Sequence, residues 1–330
     1  MITDCFITGA NGFIGASLAR KLSAAGSRLG LLCRRPPDHP FLRGLPAAVT
    51  VGDILDTGSY LQRLGSGITV IHCAARVSFA PGDRREVLKV NLEGTRRLLS
   101  ACRGRGVKDF VFVSAAAVWE PTRQPAPITE DSPAARPRNA YAAGKMAAEE
   151  ECRAAAAAGM RVVIVNPVTA YGEGDYRLRA GGRVIKEFLC RGRRLAPPGG
   201  TSWIDIDDLT SGIIAATEKG LAGRRYILSG GNVTYRELFA AILAAAGSPG
   251  RVYRLPRAAR LPLCAALAAA GVISSLLGRQ AAMDPGQMAE SFFYKYYSPA
   301  RAARELGFRP SRPLAEAISR TLDFNRRHHL

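Results

Sequence analysis

The sequence predicts an α/β protein with a doubly wound parallel sheet and a smaller C-terminal lobe. In the first half of the chain, short apolar runs alternate with helical patterns, which is the order typical of βαβ units. The runs are almost continuously apolar, as expected for strands covered on both faces. After residue 167 the pattern becomes irregular and rich in Gly and Pro. We therefore expect a first domain at residues 1–170, to which the chain returns at about 203–230, and a second lobe formed mainly by residues 171–330.

The predicted elements follow in a regular order. Strands are predicted at 5–8, 29–33, 69–74, 109–114 and 161–167, with another just before Asp53. Helices are predicted from the first loop through Lys21 and at 53–64, 87–102 and 140–157. The chain is expected to rejoin the main sheet near 203–217 and 225–228.

The segment TGANGFIG, residues 8–15, joins the first strand to the first helix. Its glycines permit a tight turn, close approach of the backbone to a diphosphate and close helix packing, while the helix N-terminus supplies positive potential. A glycine triplet alone is weak evidence, but this position between a strand and a helix predicts a Rossmann dinucleotide site. The predicted cofactor-binding residues here are Gly9, Asn11, Gly12, Phe13, Ile14 and Gly15.

The end of the second strand distinguishes the two dinucleotide cofactors. NAD-binding proteins place an acid there to accept from the ribose 2′-hydroxyl. This chain has Arg34 and Arg35 instead, and guanidinium groups form charge-assisted hydrogen bonds with a 2′-phosphate. We therefore expect NADP(H), and NAD(H) is the alternative if both arginines are ordinary surface residues. Asp53, followed by Ile54, stands after the third strand and suits the adenine amino group.

The segment YAAGK places Tyr141 and Lys145 on one face of a predicted helix, since residues four apart lie one above the other. An ammonium near a phenol stabilises the phenolate and lowers the phenol pKa from about 10, so that proton exchange with an alcohol or ketone becomes feasible. This pair, placed after a cofactor loop and a strand ending in serine, predicts a dehydrogenase or reductase site.

The net charge of +19 limits the choice of partners. A basic surface can attract nucleic acid, an anionic membrane or a phosphorylated molecule, and it can also be merely solvated. Because the sequence has no basic tail or aromatic-interleaved basic groove, we expect no nucleic-acid partner. The 7 cysteines never form CxxC, which argues against a metal site and disulfides and suits a reducing compartment. With no signal segment before the first strand, a cytoplasmic location is expected.

Together, the motifs resemble the extended short-chain dehydrogenase/reductase family, in the NAD-dependent epimerase/dehydratase branch that includes dihydroflavonol-4-reductase-like and 3β-hydroxysteroid-dehydrogenase-like proteins. The match runs nearly end to end, through TGANGFIG, GDILD, VIHCAARVSF, VNLEGTRRLL, VFVSAAAVW, YAAGK, NPVTAYGEG, WIDIDDL and ARAARELGFRP. The resemblance implies hydride transfer on a Rossmann domain, with Tyr141 as acid/base, Lys145 as its partner and Asn91 supporting a proton relay. It implies cofactor contacts at Cys73, Ala74, Ala75, Val113, Pro167 and Val168, besides Tyr141 and Lys145. It implies substrate contacts at Val77, Ser78, Ala115 and Tyr171.

The sequence departs from the family pattern at the end of the strand VFVS. Family members often have two hydroxyl residues there, and the second often orients the substrate carbonyl, whereas this chain has Ser114 followed by Ala115. We expect Ser114 to be the functional hydroxyl. The alternative is a structural serine at the strand end, with the hydroxyl supplied from elsewhere or catalysis weakened.

Two later segments bear on the substrate. Residues 261–277 form an apolar run that is too short for a usual bilayer span. We interpret the run as helices of the substrate lobe over an apolar pocket, with peripheral membrane contact as the alternative. A cluster of basic residues after YGEG instead leaves a phosphate-bearing substrate open, although a solvated helix face is the simpler interpretation. These residues are Arg177, Arg179, Arg183, Lys186, Arg191, Arg193 and Arg194.

The leading hypothesis is an NADP(H)-dependent oxidoreductase that interconverts a ketone and a secondary alcohol on a steroid-, flavonoid- or lipid-like substrate. The first alternative is a nucleotide-sugar epimerase or dehydratase with tightly bound NAD(P). The second is a non-catalytic NADP-sensing protein, for which Ala115 is the only support. A homodimer is an expectation from the resemblance alone.

Overall fold

The computed structural model describes residues 2–134, 136–137, 139–190, 192, 194–276 and 285–328, without the side chains of 81, 271–276 and 285. All further statements about the structure refer to these residues. Arg191, Arg193 and the end of the apolar run, from Leu277, lie outside them.

The main sheet has seven strands, all parallel to their neighbours, in the order β10-β6-β5-β4-β1-β2-β3. This confirms the predicted doubly wound α/β fold. The strands are β1 Asp4–Thr8, β2 Arg28–Cys33, β3 Ala47–Val51, β4 Thr69–His72, β5 Asp109–Val113, β6 Arg161–Pro167 and β10 Arg225–Leu228. The strand order reverses between β1 and β4, which is where open α/β sheets bind ligands, at the carboxyl ends of the strands.

The central strands bury both faces because their side chains alternate between two helical layers. In β5, Val111 and Val113 belong to the core on one face, while Phe110 and Phe112 belong to the core on the other. The first core is completed by helices α1 Phe13–Ala24, α6 Ile206–Lys219 and α10 Ala300–Leu306, and the second by α3 Gly94–Gly104 and α4 Ala140–Ala157.

Two predicted helices differ from the structure. Residues 53–64 form short 3₁₀ turns at Thr57–Ser59 and Leu61–Arg63 rather than an α-helix. Short polar side chains bond to nearby backbone there, as Asp53 Oδ1 accepts from Leu55 N and Ser59 Oγ donates to the Asp56 carbonyl, and such bonds compete with helix formation. The helix predicted at 87–102 begins earlier, as α2 Arg84–Leu88, and passes through a π-helical turn at Lys89–Glu93 before α3.

Outside the main sheet, the later part of the chain forms smaller sheets around a separate hydrophobic core, and we refer to these elements as the second lobe. β9 Gly200–Asp205 pairs with β7 Thr169–Tyr171, β11 Gly231–Thr234 and β13 Tyr294–Lys295, while β8 Leu195–Ala196 pairs with β12 Tyr253–Arg254. The helices of this part are α5 Gly181–Cys190, α7 Tyr235–Ala245, α8 Arg260–Leu276, α9 Pro285–Glu290 and α11 Leu314–Arg327. α5, α7 and α11 enclose a core that includes Trp203.

Candidate active site

The loop after β1 and the loop after β4 approach each other closely at the point where the strand order reverses. Gly9 has a φ of +66°, and a Cβ there would lie 2.6 Å from the Cα of Ala74. A Cβ on Gly15 would lie 2.4 Å from the Gly9 carbonyl oxygen. Both glycines are therefore required by close backbone contacts, and the resulting crevice is lined by main chain.

The crevice ends at the N-terminus of α1. Gly12 precedes the helix and gives its first turn no side-chain cap, so the amides of Phe13, Ile14 and Gly15 have no side-chain acceptor. Unsatisfied amides at a helix N-terminus form a seat for a phosphate group. This arrangement fits a dinucleotide diphosphate.

The segment after β2 is held against this crevice. Asn11 Oδ1 accepts from the backbone N–H groups of Asp38 and His39 at 3.3 and 3.1 Å. Asp38 also forms a two-contact salt bridge with Arg177 at 2.7 and 3.0 Å. The guanidinium groups of Arg34 and Arg35 within this segment are exposed, and no hydrogen bond or ion pair to another described residue engages them. The segment is thus fixed while both cations stay available to an anion.

The remaining predicted cofactor residues stand at or after the carboxyl ends of strands β3 to β6. Asp53 Oδ1 accepts a hydrogen bond from Leu55 N at 2.9 Å. Ile54 packs against Gly94, where a Cβ would lie 2.9 Å from the Ile54 side chain. Cys73, Ala74 and Ala75 are half-buried after β4, and Val113, Pro167 and Val168 lie at the ends of β5 and β6. Burial raises the pKa of the Cys73 thiol to about 12, so it stays protonated.

A buried chain of hydrogen bonds, which sequence reasoning missed, links this crevice to Asn91. Thr8 Oγ1 lies 2.6 Å from His72 Nδ1, His72 Nε2 lies 3.0 Å from Thr95 Oγ1, and Thr95 donates to the Asn91 carbonyl at 2.6 Å. The Ala74 N–H donates to Thr8 Oγ1 at 3.3 Å. Burial, with Lys145 nearby, lowers the pKa of His72 to about 3, so the ring is neutral. The histidine within HCAA was the only available signal, and it indicated no partner.

Asn91 lies in the π-helical turn and is 1% exposed. Its side-chain amide forms two hydrogen bonds with the backbone of Arg76: Oδ1 accepts from N at 2.8 Å, and Nδ2 donates to O at 3.1 Å. A Cβ on Gly144 would lie 3.0 Å from the Asn91 Cβ. The side chain therefore holds the loop after β4, and α4 packs directly on the turn.

Tyr141 and Lys145 lie on α4, one turn apart. Lys145 Nζ donates to the Val113 carbonyl at 2.7 Å and lies 4.6 Å from the centre of the Phe112 ring. Burial lowers the pKa of Lys145 to about 8 and raises the pKa of Tyr141 to about 12. The lowered phenol pKa expected from the sequence does not appear here, because burial dominates and Lys145 is bonded to a strand carbonyl.

Ser114 and Ala115 follow β5. Ser114 Oγ donates to the buried Glu149 Oε1 at 2.6 Å, and Asn166 Nδ2 donates to the same oxygen at 2.7 Å. Glu149 Oε2 lies 3.6 Å from a guanidinium nitrogen of Arg153 and 3.5 Å from one of Arg225. This geometry favours the structural role of Ser114 that the sequence left as the alternative. Ala115 is 8% exposed, and its carbonyl accepts from Asn166 at 3.1 Å.

A cavity of about 620 Å³ lies beside the catalytic tyrosine candidate. Phe79 forms part of its wall and packs edge-on against Tyr141, with ring centroids 5.9 Å apart. The other lining residues are Ala80, Arg84, Glu120, Pro121, Asn139, Ala140, Arg260, Gly286, Gln287, Ala289, Glu290 and Phe293. Phe79 thus connects this cavity to the phenol.

None of the four predicted substrate residues, Val77, Ser78, Ala115 and Tyr171, is among those that line this cavity. Val77 is 38% exposed, and Ser78 Oγ accepts from Ala80 N in the same loop. Tyr171 is 1% exposed within the core of the second lobe, against Gly181. The basic cluster also lies apart from the cavity: Arg177 pairs with Asp38 and Arg183 pairs with Glu187 on α5.

Comparison with known proteins agrees with this geometry. A protein-family model described as the NAD dependent epimerase/dehydratase family matches residues 5–229. The chain is 30% identical to "Putative dihydroflavonol 4-reductase" of Synechocystis over 99% of this chain and 96% of the relative. It is 32% identical to "Sterol demethylase protein B" of Methylococcus capsulatus over 74% of each chain. The crystal structure of the protein gox2253 superposes with a TM-score of 0.85 at 27% identity, covering 98% of both chains.

Proposed function

The chain belongs to the NAD-dependent epimerase/dehydratase family, whose members are NAD(P)-dependent enzymes of the extended short-chain dehydrogenase/reductase type, and from this premise we propose an NADP(H)-dependent oxidoreductase that interconverts a ketone and a secondary alcohol on a hydrophobic small molecule. The proposal rests on one relationship: Tyr141 packs against Phe79 of the wall of the 620 Å³ cavity, one helical turn from Lys145, which bonds to the Val113 carbonyl at the end of β5.

The crevice suits the dinucleotide in three places. The first turn of α1 would hold the diphosphate, Arg34 and Arg35 the 2′-phosphate, and Asp53 the adenine amino group. The available guanidinium groups support NADP(H) over NAD(H). When bound, the nicotinamide ring supplies or accepts the hydride.

Tyr141 is proposed to exchange the proton with the substrate oxygen. Its pKa of about 12 keeps the phenol protonated at neutral pH, which suits it to donate a proton during ketone reduction. Lys145, with a pKa of about 8, carries its charge at pH 7 and is fixed by the Val113 carbonyl. In this proposal Ser114 and Asn91 act by positioning α4 and the loop after β4.

The cavity supports a hydrophobic substrate. Its volume falls in the range of sites for drug-sized ligands. Phe79, Pro121 and Phe293 give it apolar walls. Polar groups come from Arg84, Glu120, Asn139, Arg260, Gln287 and Glu290. A relative named for sterol chemistry is consistent with a polycyclic or lipid-like substrate.

The test is a screen for NADPH oxidation with ketosteroids, flavonoid ketones and 3-oxoacyl compounds. We expect turnover of at least one class, and Tyr141→Phe is expected to lower kcat by roughly 100-fold or more while NADPH affinity stays within about threefold. Tyr253→Phe, which removes an exposed phenol, is the matched control and should keep full activity. Full turnover by Tyr141→Phe would exclude the mechanism, and NADPH binding without turnover of any ketone would favour an NADP-sensing protein.

A nucleotide-sugar epimerase or dehydratase is the second candidate. The guanidinium groups of Arg84 and Arg260 in the cavity wall favour it, because they could pair with a diphosphate. Such an enzyme recycles its cofactor within one turnover. Conversion of a nucleotide sugar without net NADPH consumption would therefore replace the first proposal.

Location and assembly complete the proposal. None of the seven cysteines, all within the described ranges, forms a disulfide, which supports a cytoplasmic location. Homodimer formation is proposed from the family resemblance, and sedimentation of the full chain tests it.

A further inference from the structure

Helix α8 presents an apolar surface that no other part of the described chain buries. No residue from Arg260 to Ala270 is buried, and Leu261 is 78% exposed. Between Arg260 and Ala270 every residue is apolar, and the exposed ones are Leu261, Pro262, Ala265, Ala266, Ala268, Ala269 and Ala270. A contiguous exposed apolar surface of this kind marks an interaction site.

The sequence around α8 carries basic residues and no acids. No acidic residue occurs between Glu237 and Asp284, a stretch that contains five arginines. Arg254 and Arg257 are exposed just before the helix, and together with Pro198, Leu255 and Pro256 they line a surface cavity of about 300 Å³. Glu290, the acid on the neighbouring α9, is paired with Lys295 at 2.9 Å. An apolar helix next to unopposed arginines is complementary to an anionic lipid surface.

The apolar run that contains α8 is short for a bilayer crossing. The run has 17 residues, 261–277, between Arg260 and Arg279, and 17 helical residues extend about 25 Å at 1.5 Å per residue, whereas the hydrocarbon core is about 30 Å thick. Among the described residues, no helix combines the length and apolarity that a membrane crossing needs.

The position of α8 connects this surface with the active site. Arg260, the first residue of the helix, lines the substrate cavity and stacks on Phe293, with its guanidinium carbon 4.7 Å from the ring centre. The cavity wall also includes residues of α9, beside α8. A bilayer in contact with α8 would therefore lie next to the cavity.

We propose that α8 and the arginines before it dock the protein on an anionic lipid bilayer, so that a lipid-like substrate reaches the cavity from the membrane surface. Arg254 and Arg257 contact lipid phosphates, and the exposed apolar residues of α8 enter the boundary between headgroups and acyl chains. The delivery of substrate rests on the proposed function, whereas the docking does not.

The experiment is co-sedimentation of the full chain with vesicles, without cofactor or substrate. Phosphatidylcholine vesicles containing roughly 30 mol % phosphatidylglycerol are compared with pure phosphatidylcholine. We expect binding to the anionic vesicles that weakens when salt is raised from about 0.1 M to about 0.5 M. Arg254→Gln with Arg257→Gln should lower the partition coefficient roughly tenfold or more, and Leu261→Asp at least about fivefold.

Matched controls separate docking from general charge and folding effects. Leu221→Asp introduces the same negative charge at another exposed leucine, which is 54% exposed and follows α6. Arg43→Gln with Arg103→Gln removes two exposed arginines elsewhere. Both should bind vesicles within about twofold of the parent. Leu261→Asp is not expected to unfold the helix, because an acid in the first turn is favourable there.

Three outcomes would overturn the docking proposal. Failure of the parent to bind anionic vesicles is the first, and equal losses in the controls are the second. The third is that the parent forms a dimer and does not bind vesicles, and that Leu261→Asp dissociates this dimer. That result would make α8 an interface between two copies. Each result is independent of ketone turnover with soluble substrates, so it leaves the proposed oxidoreductase activity standing or failing separately.

Discussion

The hydroxyl of Ser114 donates a hydrogen bond to the carboxylate of Glu149, with 2.6 Å between Oγ and Oε1, and both residues are at least 97% buried. Glu149 lies two turns after Tyr141 on α4, and Ser114 follows β5. The bond therefore fixes α4 against β5, the strand whose Val113 carbonyl also accepts a hydrogen bond from Lys145. In the proposed mechanism Ser114 acts through the position of α4.

Ser114→Ala is expected to lower stability more than activity. Removal of one donor from a buried carboxylate costs about 1.5–3 kcal/mol in the free energy of unfolding, whereas kcat should stay within about threefold because the hydroxyl donates its hydrogen bond to Glu149. Urea unfolding and ketone turnover measure the two effects. Ser229→Ala is the matched control, since Ser229 is equally buried after β10 and its Oγ has no partner among the described residues. A large loss of kcat with unchanged stability would restore the catalytic role expected from the sequence.

Arg34→Ser combined with Arg35→Ser is expected to weaken NADPH binding and leave NADH binding nearly unchanged. Charge-assisted hydrogen bonds to a 2′-phosphate are worth about 1.5–3 kcal/mol each, so the NADPH dissociation constant should rise roughly tenfold per arginine. Isothermal titration of both cofactors measures the change, with Arg43→Ser as a control at an exposed arginine of the same connection. Equal losses for NADH and NADPH would show that the arginines do not read the 2′ position.

The rate of ketone reduction is expected to fall as pH rises through about 8, because the Lys145 ammonium loses its proton there while Tyr141, with a pKa of about 12, stays protonated. The profile of kcat/KM reports groups of the free enzyme, so it should show this alkaline limb. Lys145→Arg keeps a charge across this range, and its limb should move above pH 10. An unchanged limb in that variant would assign the ionisation to another group.

The sequence was sufficient where the signal is local. The glycines of 8–15 and the continuous apolar strands predicted the sheet and the cofactor crevice, because turn geometry and burial on both faces constrain residue types directly. The prediction of an α-helix at residues 53–64 is wrong, because the side chains of Asp53 and Ser59 bond to the backbone of Leu55 and Asp56, and hydrophobic periodicity does not report such bonds.

The contacts that the sequence does not predict depend on how elements distant in the chain pack against each other. Glu149 sits in a run of three glutamates on α4 and looks like a surface acid until the packing of α4 on β5 brings it to Ser114. The chain from Thr8 through His72 to Thr95 requires three separate segments to meet. Tyr171 shows the converse. The sequence predicts that it contacts the substrate, but its aromatic ring is buried in the core of the second lobe.

His72 should make the folded protein sensitive to mild acid. Its pKa falls from 6.5 in the unfolded chain to about 3 in the folded one. Between these two pH values the imidazole is protonated in the unfolded state and neutral in the folded state. Stability is therefore lost as pH falls from 6.5 towards 3, and one pKa unit corresponds to about 1.4 kcal/mol, which gives a loss of about 2 kcal/mol between pH 7 and pH 5. Urea unfolding at both pH values should show this difference in the parent and in a control His328→Gln, at the end of α11. In His72→Gln, which can still bond with Thr8 and Thr95, the difference should shrink by that amount. An unchanged pH dependence would mean that His72 has the same pKa in the folded and the unfolded protein.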